Sequence, residues 1–365
     1  MTLSPFDDLP IHQIAEPVQH VATSDRNFYD RYYFNCFAPD AGLMLIVGMG
    51  VYPNLRVADA FAVVHDEAMH RVVRASRELG ADRADTSVGP FRIEVVEGLR
   101  RLRVLLRENE HGLDFDLTWE GHERAHQEPR HFDRSATGRV VIDSMRFAQT
   151  GRWTGKIRVG ERAVEVTPDL WLGTRDRSWG VRPIGEPEPP GATGQHALPG
   201  FFWIYAPMQF PDRSLFFSAQ ERPDGSRILE EAAAVRSFAG GAEQDEGPQP
   251  LGEPGHELTF VEGTRTVESA VLYLGDTRVR VTPLVPTHLI GTGYGMDQDW
   301  RHGMWQGALK VEGREWDLTT EDGRKAMWGL CDAAARFELD DGTVGYGLFE
   351  YMVFGPHIPS GLEGW

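Results

Sequence analysis

The densest run of side chains able to do chemistry is Arg175-Asp176-Arg177-Ser178-Trp179, inside residues 171–183. With Arg182 it brings three arginines, one carboxylate, a serine and an indole into eight residues. In extended chain, Arg175, Arg177 and Trp179 share one face, and Asp176 and Ser178 share the other. Charged groups are rarely buried unless paired, and an aspartate among arginines is held ionised by charge-assisted hydrogen bonds. Two readings follow. Asp176 is a pocket acid, with Arg177 stabilising anionic charge and Trp179 shaping the wall. Alternatively the run is a salt-bridged corner between two domains, with Trp179 as a packing plug.

Three further groups qualify. The aromatic run Phe201-Phe202-Trp203-Ile204-Tyr205-Ala206-Pro207-Met208 is apolar on both faces. It packs in a core or walls a ligand cavity, where the Tyr205 hydroxyl would need a partner. The run Asp297-Gln298-Asp299-Trp300-Arg301-His302 offers Asp297 or His302 as a general acid or base, or a polar strand end. Glu350, between Phe349 and Tyr351, is either a buried carboxyl of raised pKa or a solvent-facing edge residue. Asp176, Arg177, Trp179, Tyr205 and His302 are thus the candidate catalytic residues. Trp203, Met208, Trp305 and Glu350 are the candidate ligand contacts.

Other motifs exclude themselves. His122-Glu123-Arg124-Ala125-His126 matches the metalloprotease H-E-x-x-H pattern, with His131 nearby as a third nitrogen. That motif works only on a helix, and here Gly121 and Pro129 bracket it after an alternating strand. A histidine-rich loop with no metal is the expectation. Gly291, Gly293 and Gly295 resemble half a dinucleotide fingerprint, but no helical run follows. No nucleophile elbow or P-loop is present, so no cofactor is expected.

The elements that must position these groups read as strands. Leu113-Asp114-Phe115-Asp116-Leu117-Thr118-Trp119 alternates with period two, as do residues 91–95. Residues 43–47 and 60–64 are short apolar runs. Forty glycines and 23 prolines punctuate the chain, above the usual combined ~12%. Helix candidates are few: residues 66–79, which read equally as strand–turn–strand, and 324–336 with its alanine triplet. A self-match between residues 153–160 and 305–313, followed by Trp179-Gly180 and Trp328-Gly329, suggests duplicated β domains. A Pro/Gly-rich linker at 184–194 separates the halves, and residues 240–255 read as an acidic excursion.

Composition bounds the partners. Fifty-five acidic against 37 basic residues give a net charge of −18, which repels nucleic acid. Two cysteines, Cys36 and Cys331, make no disulfide framework. Neither a basic leader nor a membrane-spanning stretch is evident, so a cytoplasmic protein is expected.

The run Gly173-x-x-Asp176-x-Ser178-Trp179-Gly180-x-Arg182 resembles the motif of the carotenoid hydratase (hydroxyneurosporene synthase)-like family, which includes lipocalin-like Diels–Alderases. Residues 300–307 and 345–351 look like the same group, and the resemblance covers most of the chain from about residue 28. The family's commoner pattern has histidine where this chain has Arg177; Asp176 and Trp179 match. The resemblance implies double lipocalin-like β proteins that bind long apolar molecules without metal or nucleotide.

The expected architecture is therefore mainly β: two lipocalin-like antiparallel barrel or sandwich domains packed side by side. They would follow a lead-in at 1–25 and span 26–190 and 196–365. The expected function is a cofactor-independent enzyme for an isoprenoid, steroid or polyketide type of hydrophobic small molecule. Its reaction would be alkene hydration, isomerisation or cyclisation; the alternative is a non-catalytic carrier of such a ligand. No oligomeric state is implied.

Overall fold

The structure is a computed structural model that describes residues 3–135, 137–189, 200–239, 247–294 and 297–364. Residues 190–194 of the expected linker, 240–246 of the acidic excursion, Gly295 and the division between the two expected domains lie outside the described residues.

The architecture is almost wholly antiparallel β, as the alternation implied. In the Leu113–Gly121 strand, Leu113, Phe115, Leu117 and Trp119 are buried while Asp116 and Glu120 are exposed. Such strands can bury an apolar face only by stacking or curling. The first sheet runs Leu309–Asp317, Met69–Glu78, Val57–Asp66, Leu43–Tyr52, Phe28–Phe37, Leu172–Val181, Val140–Val159, Leu113–Gly121, Arg101–Leu106, Phe91–Glu97 and Ser87–Val88. Ala75 near one end meets Phe91 and Val104 near the other in a single apolar cluster, so the sheet is curled around its own core. The second sheet runs Gln249–Pro250, Arg227–Arg236, Arg213–Glu221, Phe201–Gln209, Val344–Phe354, Cys331–Leu339, Thr277–His288, Val267–Leu274 and Pro254–Phe260. It encloses Phe202, Ile204, Met208, Phe217 and Phe337. A third cluster joins the outer faces of the two sheets, with Tyr33, Ile46 and Phe61 on one side and Trp203, Tyr205 and Leu348 on the other. The result is two lipocalin-like half-barrels back to back.

One open alternative is decided and two expectations change. Residues 66–79 are the strand–turn–strand alternative, Asp66 ending one strand and Met69–Glu78 forming the next. Residues 324–336 are not a helix: Glu321–Lys325 makes one helical turn, and Cys331–Leu339 is a central strand. Alanine favours helix locally, but pairing on both sides with Thr277–His288 and Val344–Phe354 outweighs that propensity. The internal match is not a structural repeat either. Trp153 is 1% exposed within a core strand, whereas Trp305 is 50% exposed on irregular chain. The Leu309–Asp317 strand that follows Trp305 pairs with Met69–Glu78 and forms an edge of the first sheet.

Candidate functional site

The site is built where the two outer faces meet. The Leu172–Val181 strand is central in the first sheet because its glycines let neighbouring chains approach. A Cβ on Gly173 would lie 2.0 Å from the Asn35 carbonyl oxygen, which accepts the Trp153 indole N–H at 2.8 Å. Gly180, at φ +132°, has a backbone that side-chain-bearing residues rarely adopt. Between them the strand alternates as read from the sequence. Asp176 and Ser178 face the second sheet and line a cavity of about 300 Å³. Arg177 and Trp179 face the opposite way.

Register then assembles an acid cluster. Tyr33 pairs with Asp176 in the first sheet. In the second, Tyr205 pairs with Glu350, and Glu350 with Asp332. Across the gap Tyr33 donates its hydroxyl proton to Asp332 Oδ2, while the Trp203 indole N–H donates to Glu350 Oε1. Asp332 and Glu350 are direct cross-strand partners, so each carboxyl opposes ionisation of the other. Burial raises both pKa values, and for Asp332 the neighbouring Glu350 charge adds to the rise. Two carboxyls so close titrate as a pair. Arg146 reaches in from Val140–Val159 and donates from Nε to Glu128 Oε2 at 2.5 Å. Its guanidinium also lies 4.0 Å from the Tyr205 ring centroid.

Asp176 is the exception within this network. It accepts no hydrogen bond among the described residues. Burial pushes its pKa up to about 7; Glu128 and Glu350 add to the rise, and Arg146 and Arg182 oppose it. An unbonded carboxyl in a confined cavity is costly to ionise, so near neutrality Asp176 holds a transferable proton. Arg182 and Tyr294 line this cavity and also an adjoining cleft of about 670 Å³, so the two side chains stand between the two spaces.

The other candidates are dispersed. Trp203 and Glu350 line the cavity with Asp176. Tyr205 packs just behind, its ring 6.1 Å from Trp203 and its hydroxyl without a hydrogen-bond partner. Burial first, then the Glu128 charge, holds Tyr205 protonated. His302 lies apart on the cleft wall: it stacks on Phe61 at 5.9 Å, and its Nε2 is 3.1 Å from the Thr292 carbonyl oxygen. Burial drives its pKa well down, leaving a neutral ring. Met208 is fully buried in the core of the second sheet, and Trp305 is half in solvent. Asp297 lies 3.8 Å from Arg74, a guanidinium stacked 4.4 Å over Trp300, so it serves an ionic network instead.

The H-E-x-x-H run is irregular chain leading into a short strand, and its donors diverge. His122 Nε2 meets the Phe210 carbonyl oxygen at 2.9 Å and His126 Nε2 meets Glu231 at 2.8 Å. Glu123 accepts from the Thr150 N–H, the Thr150 hydroxyl and the Ser214 hydroxyl. Among the described residues no three His, Cys, Asp or Glu side chains are grouped to hold a metal ion.

Tyr33, Glu128, Arg146 and Asp332 were not singled out in the sequence. Asp332 had the clearest signal: a lone carboxylate in an apolar run, Cys331-Asp332-Ala333-Ala334-Ala335, of the same kind as Glu350.

No curated protein sequence matches the chain. Its fold is shared with solved structures at low sequence identity. A Nitrosomonas europaea protein provisionally named AttH has a TM-score of 0.55 at 13% identity, covering 94% of this chain and 98% of that one. Kievitone hydratase from Nectria haematococca has a TM-score of 0.52 at 12% identity, covering 88% of each chain. The back-to-back half-barrels that place Asp176 opposite Glu350 are thus a fold known from other proteins. A sequence profile matches residues 3–363, and the chain belongs to that family, the family of unknown function DUF8625.

Proposed function

We propose that the central cavity carries out cofactor-independent proton transfer to an apolar small molecule, with Asp176 as the acid. The observation that carries this reading is the Asp176 carboxyl itself: half-buried on the cavity wall, without a hydrogen bond among the described residues, and titrating near 7. A general acid works best with a pKa near the working pH. Part of the wall suits an alkene, although Arg31, Arg146 and Arg182 line the same cavity. Trp203, Phe201 and Met352 are apolar or aromatic, and π-faces and carboxylates favour developing positive charge.

In a hydration, the Asp176 carboxyl gives its proton to one alkene carbon, and the π pair forms the new C–H bond. A water oxygen then bonds to the cationic carbon and returns one proton to the Asp176 carboxylate. In an isomerisation the proton returns from the neighbouring carbon instead. Glu350, which lines the same cavity and whose pKa burial raises, is with its neighbour Asp332 the second acid–base group of the site. Fold likeness to a hydratase supports hydration as the first reaction to test, on a substrate of isoprenoid, steroid or polyketide type. Apolar molecules extracted from the purified protein, returned to fresh wild type and Asp176→Asn, test the assignment. Conversion should fall about 10²–10⁴-fold in the variant, the usual worth of a general acid. Equal conversion by both proteins would remove Asp176 from the mechanism, and unchanged ligand from both would favour a carrier.

A further inference from the structure

The face of the Leu172–Val181 strand that turns away from Asp176 has a cavity of its own, about 1300 Å³. Its floor is the inner face of the first sheet, with Met49, Val51, Ile93 and Trp179. Its roof is the N-terminal segment, including Phe6 and Ile11. That segment is tied down at Val18, whose N–H donates to Asp7 at 2.6 Å and whose carbonyl oxygen accepts from Arg83 Nη1 at 3.1 Å.

Around Asp30 the cavity's charges do not balance. Arg177 Nη2 pairs with Asp30 Oδ1 at 2.9 Å, and Arg83 adjoins the same carboxylate. Two guanidiniums therefore share one carboxylate. Arg177 Nη1 and Arg83 Nε are buried without an acceptor. Nearer the rim, Arg92 pairs with Glu94 at 2.9 Å and Asp85 with Arg77 at 3.1 Å, Asp82 accepts from the Ala84 N–H at 2.9 Å, and Glu16 stands in solvent. Arg177 also lies 4.2 Å over the Tyr32 ring, but two half-buried guanidiniums on one carboxylate, with buried N–H groups left over, are stabilised by an incoming anion. The volume exceeds the ~300–1,000 Å³ typical of a drug-sized ligand, which favours an extended chain.

We propose that this cavity is a second ligand site for an amphipathic monocarboxylate. Arg177 and Arg83 hold the carboxylate, and Met49, Val51, Ile93 and Trp179 hold the apolar chain. The site is separate from the central cavity and does not depend on the proposed chemistry there.

Calorimetric titration of the full chain with dodecanoate and with dodecanol tests it. Dodecanoate should bind at one site per chain, and dodecanol at least about tenfold more weakly for want of the charged contacts. Arg177→Gln should weaken dodecanoate by about tenfold or more while leaving dodecanol unchanged. Asp30→Asn removes the internal competitor and should tighten dodecanoate, which keeps the proposal testable if Arg177→Gln fails to fold. Asp176→Asn, on the opposite face, should bind dodecanoate as wild type does. No saturable binding, equal affinity for the alcohol, unchanged or weaker binding by Asp30→Asn, or loss of binding in Asp176→Asn would each overturn the proposal.

Discussion

Replacing Asp176 by asparagine should stabilise the protein at alkaline pH and leave it unaffected at acid pH. Asparagine keeps the shape of the side chain and removes the ionisation. In the unfolded chain this aspartate titrates near 3.8; in the cavity burial moves it to about 7. The folded state therefore holds a proton that the unfolded state has released across that window, and stability falls as pH rises from about 4 through 7. Roughly three pH units at about 1.36 kcal/mol each set an upper bound of about 4 kcal/mol. Partial hydration of the cavity reduces this, so about 2–4 kcal/mol is expected above pH 8. Thermal and urea unfolding of both proteins between pH 4 and 9 measures it. The two stability curves should meet near pH 4, diverge between about 4 and 7, and run parallel above that, with the asparagine variant the more stable. A structural ion pair would do the opposite: the variant would lose about 3 kcal/mol near neutral pH, because an unpaired arginine is left behind. That outcome would refute the reading of Asp176 as a poised acid.

Other perturbations probe the surrounding frame. Arg146→Met strands the buried Glu128 carboxylate and should cost about 3–5 kcal/mol at pH 7, read by urea unfolding. Gly173→Ala drives a Cβ to within 2.0 Å of the Asn35 carbonyl oxygen and should cost about 3 kcal/mol, seen as a lowered melting temperature. Purified protein should carry substoichiometric zinc, and chelation should leave its melting temperature unchanged, since His122 and His126 serve different partners. One tight zinc per chain, lost in His122→Ala and His126→Ala, would contradict that.

Much of the fold was legible because period-two alternation is local. The strand Leu113–Gly121 and both faces of Leu172–Val181 follow from residue spacing alone. So does the separation of Asp176 from Arg177, which places a different cavity on each face of that strand. The assembled site was not legible, because its contacts are long-range: Tyr33 and Asp332 meet across 299 positions. Sequence shows each as an ordinary strand residue, and only the pairing of two sheets makes them neighbours. The alanine run around Asp332 further disguised a central strand as a helix. Tryptophan and glycine repeats misled for a related reason. Trp153 and Trp305 share flanking residues but not burial, since burial is decided by the sheet a segment joins.

The most direct measurement of the central claim is deuterium incorporation. Apolar molecules extracted from the protein are incubated in D₂O with wild type and with Asp176→Asn, then analysed by mass spectrometry. If Asp176 delivers a proton to carbon, wild type should place one carbon-bound deuterium in each molecule converted, and Asp176→Asn almost none. Deuterium entering equally with both proteins, or no incorporation with either, would contradict the assignment of Asp176 as the acid.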